Sequence, residues 1–151
     1  MFIPKASIFR GSIKLPTSPE IAFKLFSPEG ERLWVPDWNP ELIYPQGVEW
    51  AESQVFRTVE DSGDAIWVVS KLEPEECYVI YFRIEPTIYV AKVDVKVKPT
   101  SVEGSEVSVL YTFIGLSEKG NDEISLMTSS SFETKMERWF TWLNQYLAKK
   151  G

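Results

Sequence analysis

Tyr81 and Arg83 occupy alternate positions of one strand-like run, with Val79 before them, and so project from the same face of it. If that face is concave, the guanidinium can meet a carboxylate, a phosphate or an enolate on a bound molecule, with the phenol as a hydrogen-bond donor. Periodicity leaves the facing open, because Ile80, Phe82 and Ile84 make the opposite face equally apolar, and Glu60 or Glu85 could be an internal partner for the arginine. A second group is Trp34 and Trp38, one helical turn apart around Pro36, whose rings could clamp an apolar ligand or simply fill a helix-to-strand corner. The third is Ser125, Thr128 and Ser129, short hydroxyl side chains in line with Phe132 on a helical pattern. They could hydrogen-bond a ligand's polar head while Phe132 meets its apolar body, or they could cap a helix that starts later or kinks.

The residue types also exclude chemistry. The chain has no histidine and a single cysteine, Cys77. That removes Ser-His-Asp and Cys-His nucleophile systems, histidine acid–base work and the common zinc sites, leaving carboxylates, Lys, Arg and Tyr. Acidic groups such as Asp61 with Asp64, and Glu73 with Glu75 and Glu76, fall at turn positions without a calcium-loop pattern and read as solvated turns, so no metal site is expected. No glycine-rich phosphate loop or dinucleotide fingerprint is present, and no cofactor is expected. A formal net charge of −6 disfavours nucleic acid as a partner. Lys92, Lys96 and Lys98 alternate with Val93, Val95 and Val97, the pattern of a solvated strand face. No apolar run is long enough for a membrane span, and the N-terminus lacks the pattern of a secretory signal, so a cytoplasmic, soluble protein is expected.

These residues need elements to hold them. At 151 residues and 44% hydrophobic, residues 1–151 suit one domain with a sizeable core. Ala6 to Leu15 reads as a strand. Ser18-Pro19-Glu20 starts a short helix to Phe26, and Ser27-Pro28 starts a second that Pro36 should end near Trp34. From Glu41 to Leu116 turn signals separate five or six strands, the clearest being Tyr89 to Lys98, followed by one with Val107, Val109, Tyr111 and Phe113 on its inner face. Short turns between successive strands imply an antiparallel sheet. Asp122 to Gly151 reads as one long helix with Phe132, Met136, Trp139, Phe140, Leu143 and Leu147 on a core-facing arc of roughly 100°. The fold class is therefore α+β: a curved antiparallel sheet wrapped around a long C-terminal helix, with two short helices after the first strand. Where the helix stripe turns from bulky residues to hydroxyls, a hollow is expected.

The order of elements, with Trp34-Val-Pro-Asp-Trp38-Asn-Pro40, Phe56-Arg-Thr58, Trp67-Val-Val69, Tyr81-Phe-Arg83-Ile-Glu-Pro86, Tyr111-Thr112, Leu116-Ser-Glu-Lys-Gly120 and Trp139, resembles the START/Bet v 1-like helix-grip superfamily. The resemblance covers nearly the whole chain and implies a cavity between sheet and terminal helix. It also implies that Trp67, and with it Phe56, stands near that cavity. The superfamily holds carriers, receptors, enzymes and co-chaperone domains on one scaffold, so it does not fix an activity. The leading expectation is binding of a hydrophobic or amphipathic small molecule without catalysis, with no catalytic residue assigned. The ligand-binding candidates are Trp34, Trp38, Phe56, Trp67, Tyr81, Arg83, Tyr111, Ser125, Thr128, Ser129 and Phe132. The alternatives are a polyketide cyclase or dehydratase-like enzyme, with Arg83 or Tyr81 stabilising an enolate and Glu85 moving protons, and a co-chaperone-type interaction module.

Overall fold

Ser-Pro pairs start both early helices, and alternation of side chains sets the strands between which they sit. The computed structural model describes residues 1–47, 49–60, 63–100 and 103–150, the side chain of Glu60 excepted, so Asp61 and Glu60's role toward Arg83 lie outside the described residues. Strand β1 (Ala6–Leu15) buries Ile13 and Leu15 and exposes the alternate residues Ser12 and Lys14. Helices α1 (Pro19–Lys24) and α2 (Pro28–Glu31) follow, with Ser18 Oγ accepting from the Ile21 amide at 3.4 Å and Ser27 Oγ from the Gly30 amide at 2.9 Å. Both helices stop short of the expected Phe26 and Trp34. The carbonyls of Leu25 and Phe26 are taken by distant side chains, Trp34 Nε1 at 2.7 Å and Tyr81 Oη at 2.7 Å, in place of helical amides.

Six further strands, β2 (Glu41–Tyr44), β3 (Val55–Glu60), β4 (Gly63–Glu73), β5 (Tyr78–Glu85), β6 (Tyr89–Pro99) and β7 (Ser105–Gly115), join β1 in one antiparallel sheet. Its order is β1-β7-β6-β5-β4-β3-β2. Register pairs Arg83 with Trp67 and Ala91, and Val93 with Tyr81 and Tyr111, so all of these share the inner face. This settles the facing that periodicity left open: Val79, Tyr81, Arg83 and Glu85 point inward from β5. Ile66, Val68, Ile80, Phe82 and Ile84 cover the outer face half-buried, which is why these strands show no alternation in sequence.

The terminal segment is two helices, α3 (Glu118–Ser125) and α4 (Ser129–Lys150), where one was expected from Asp122 to Gly151. A reciprocal cap breaks it: Thr128 Oγ1 accepts from the Ser131 amide and Ser131 Oγ accepts from the Thr128 amide, each at 3.0 Å. Along α4, Phe132, Met136 and Leu143 are buried, and Trp139, Trp142, Tyr146 and Leu147 are packed against the core. Phe140, expected in the stripe, is 48% exposed, because the buried arc is rotated toward Trp142 and Tyr146. The sheet grips α4 closely at Gly11 of β1, where a Cβ would lie 2.7 Å from Met136 Cγ. Helix α3 seats as tightly, since a Cβ on Gly120 would run into the backbone carbonyl of Ile88.

Gly120→Ala is therefore expected to lower the unfolding free energy by about 1–3 kcal/mol in urea denaturation, as α3 lifts from the β5–β6 turn. An unchanged midpoint would mean that this seat yields freely.

Candidate functional site

A cavity of about 360 Å³ lies between the inner face of the sheet and the N-terminal half of α4. The sheet supplies Phe9, Tyr111, Phe113, Tyr89, Arg83 and Trp67 to its wall. The turn after α2 brings Val35 and Trp38, and Glu31 ends α2 beside them. Asp37, with φ of 61°, takes the left-handed conformation that an aspartate tolerates, and Trp38 Nε1 donates to the Pro28 carbonyl at 2.8 Å. The α3–α4 joint and α4 close the opposite side with Met127, Thr128, Ser131, Phe132, Lys135 and Trp139.

Rings dominate this lining, and they hold one another in place. Phe9 stacks on Phe132 with centroids 5.6 Å apart, and Tyr111 meets Phe132 edge-on at 5.6 Å. Trp67 stacks on Phe56 at 5.5 Å and meets Trp38 edge-on at 5.6 Å, while its Nε1 donates to Thr58 Oγ1 at 3.0 Å.

Among the described residues, three charged side chains interrupt the aromatic wall. Arg83 Nη2 lies 3.6 Å from Glu85 Oε1, its Nη1 donates to Tyr89 Oη at 3.2 Å, and its guanidinium sits 5.7 Å from the Trp67 ring centroid. Lys135 Nζ lies 4.3 Å from the Tyr111 ring centroid. Burial holds the Glu31 carboxyl well above the ordinary carboxylate value of 4.5, and Lys135 pulls it the other way. Burial likewise pushes the Tyr81 phenol up, and the nearby Glu31 charge adds to this. Among the described residues no group of three or more His, Cys, Asp or Glu side chains is placed to hold a metal ion. Among the described residues no helix is long and apolar enough to cross a membrane.

The arrangement of sheet, short helices and terminal helix recurs in solved structures. Ara h 8.0201 superposes with a TM-score of 0.70 at 14% identity, over 96% of this chain and 99% of that one. Norcoclaurine synthase from Thalictrum flavum, in complex with dopamine and hydroxybenzaldehyde, gives 0.66 at 12% identity over 91% and 86% of the two chains. A hypothetical protein from Helicobacter pylori gives 0.74 at 7% identity over 93% and 87%. The chain has the Bet v 1-like helix-grip fold. No family model matches the sequence, and no curated protein does.

In this helix-grip frame the structure brings six of the sequence candidates to the cavity wall: Trp38, Trp67, Arg83, Tyr111, Thr128 and Phe132. Three others form the packed ground behind it. Trp34 is 6% exposed and meets Trp139 edge-on, Phe56 is 1% exposed, and Tyr81, at 4%, spends its hydroxyl on the Phe26 carbonyl. Ser125 and Ser129 are exposed and away from the wall: Ser125 Oγ donates to the Asn121 carbonyl at 3.0 Å within α3, and Ser129 opens α4 on its outer side. The helix break causes this correction, since a continuous helical phase does not run through Leu126–Thr128. Sequence reasoning missed Glu31, Ser131, Lys135 and Trp139 as parts of the wall, along with Phe9, Val35, Tyr89, Phe113 and Met127. For Lys135 a signal existed, because it lies between Phe132 and Trp139 on the same helical arc.

The raised Glu31 carboxyl links stability to pH with a definite sign. The folded chain holds this proton above 4.5 where the unfolded chain has released it, so the contribution is full below 4.5 and is lost as pH rises through the folded value. Glu31→Gln is expected to match the parent in acid and to melt higher at neutral and alkaline pH. Parallel melting curves at the two pH extremes would refute the buried placement.

Proposed function

We propose that this protein binds a flat hydrophobic or amphipathic small molecule in the cavity beneath α4. The observation that carries the reading is the 360 Å³ space walled by aromatic rings, a volume within the range of small-ligand pockets, with non-aromatic polar side chains, among the described residues, at Glu31, Arg83, Lys135 and the Thr128–Ser131 cap. Desolvation of ring faces supplies affinity at roughly 25 cal/mol per Å² before ordering costs, and the few polar groups supply orientation. A protein of the same fold, norcoclaurine synthase, has been solved with dopamine and hydroxybenzaldehyde, both small aromatic molecules.

One observation favours a second reading, an enzyme. Glu31 is a carboxyl with a raised proton affinity at the wall of a cavity that the Lys135 amine also lines, which is a combination suited to moving protons on a bound substrate. In that reading Glu31 replaces Glu85 as the proton carrier, and Tyr81 is not available to stabilise an enolate. Glu85 is 5% exposed and paired with Arg83, and the Tyr81 hydroxyl is bonded to the Phe26 carbonyl. An interaction module finds less support, because it has no use for a hollow interior.

Native mass spectrometry of the protein as purified, with solvent extraction of any bound molecule, identifies the ligand directly. The neutral fluorophore N-phenyl-1-naphthylamine tests the site: Val35→Phe, which narrows the cavity from the α2 side, is expected to weaken its binding by about tenfold, equivalent to about 1.4 kcal/mol, with little loss of stability. Equal affinity in parent and variant would sink the reading.

A further inference from the structure

The cavity's charges are arranged for one kind of polar head. Among the described lining residues the charged ones are Glu31, Arg83 and Lys135, two cations and one acid. Arg83 is engaged with Glu85 and Tyr89 on the β5–β6 side. On the α4 side, Lys135 sits over the Tyr111 ring and interacts electrostatically with Glu31. Glu31, at the end of α2, and Lys135, on α4, are thus a carboxyl and an ammonium on the wall of one cavity, whose aromatic lining includes Phe9, Phe132, Tyr111, Trp38 and Trp67.

We propose that the site takes a flat aromatic monoanion whose carboxylate-type head seats between Glu31 and Lys135, and that the complex takes up one proton from solvent onto Glu31 as it forms. This rests on the reading of the cavity as a ligand site and adds the ligand's charge and its proton linkage. An anionic head beside Lys135 competes with the Glu31 carboxylate for the same ammonium. Two anions flanking one cation against a low-dielectric wall repel each other, and the relief is to protonate one of them. Burial already biases Glu31 toward its neutral form, and once protonated its O–H can donate to the head. A cationic head would meet two cations in the lining, and a neutral head would leave the Glu31 proton balance unchanged.

The groups around Glu31 do not cancel this linkage. From β5, Tyr81 faces it with a phenol pushed upward by burial, which stays neutral through the physiological range. Lys135 faces it from α4, with Tyr111 of β7 under the ammonium. Arg83 and Glu85 of β5 and Tyr89 of β6 stand together further along the wall. Arg32, next in sequence, turns away to Glu29 at 2.8 Å and Asn39 at 2.9 Å.

The test is calorimetric titration of the full chain with 2-naphthoate and its neutral isostere 2-naphthamide, from about pH 5 to about pH 9, in buffers of different ionisation enthalpy. The expected result is a preference for naphthoate of at least about tenfold near pH 6, with net proton uptake. Its affinity should then fall with rising pH by up to about tenfold per unit, while naphthamide binding stays flat. Glu31→Gln should bind naphthoate without proton uptake or pH dependence, and Lys135→Met should lose the preference for the anion. Equal binding of the two probes, or naphthoate binding with no proton uptake at any pH, overturns this inference and leaves the ligand site standing. Binding of neither probe overturns the ligand site as well.

Discussion

Helices α1 and α2, of six and four residues, are too short to hold themselves, and three aromatic hydrogen bonds tie them to the fold. Trp34 Nε1 reaches the Leu25 carbonyl, Tyr81 Oη the Phe26 carbonyl and Trp38 Nε1 the Pro28 carbonyl, at 2.7, 2.7 and 2.8 Å. Each bond lets a ring enter the interior without leaving its polar atom unpaired, and those to Leu25 and Phe26 also give carbonyls at the end of α1 a donor. Glu31, Val35 and Trp38 hold their places at the cavity because this corner is fixed. Tyr81 is the long-range member, joining β5 to the end of α1, so the inner face of the sheet and the cavity's rim share one anchor.

The hollow itself follows from where the grip is tight and where it is not. Gly11 lets α4 approach β1 until Met136 and Phe132 touch the strand backbone. Beside this contact α4 lines the cavity with Ser131 and Lys135, and Thr128 precedes the helix at the cap. Hydroxyls are too short to fill the space, and a lysine lays its stem along Tyr111 with the ammonium against the ring face. The sheet's curvature is thus filled at one end by Phe56, Tyr81 and Trp34 and left open at the other.

What the sequence revealed and what it hid divide along the range of the interactions concerned. The bounds of β1, the Ser-Pro starts of α1 and α2, and the wet-and-dry alternation of β6 rest on neighbours in the chain and could be read directly. Residues 6 to 15 emerged as a strand with no adjustment. Tyr81 could not be read, because its hydroxyl is claimed by a carbonyl 55 residues away, and the same holds for Trp34 against Trp139. Glu31 carried no local signal of a cavity role, because its place on one wall with Lys135 depends on two elements far apart in the chain. The Thr128–Ser131 cap was a local signal, but hydroxyls in mid-pattern fit a cavity lining and a helix start equally well, and here Thr128 does both.

The tryptophans carry one more consequence. Three of the chain's six, Trp38, Trp67 and Trp139, border the cavity, and the first two meet edge to face. Indole emission responds to the polarity and mobility of its immediate surroundings, and a conjugated guest within a few ångströms can drain the excited state before it radiates. The molecule is therefore its own optical gauge, with half of its indole chromophores arranged around a single compartment. A conjugated guest in that compartment is expected to report its own entry through the colour and brightness of these indoles, without a label.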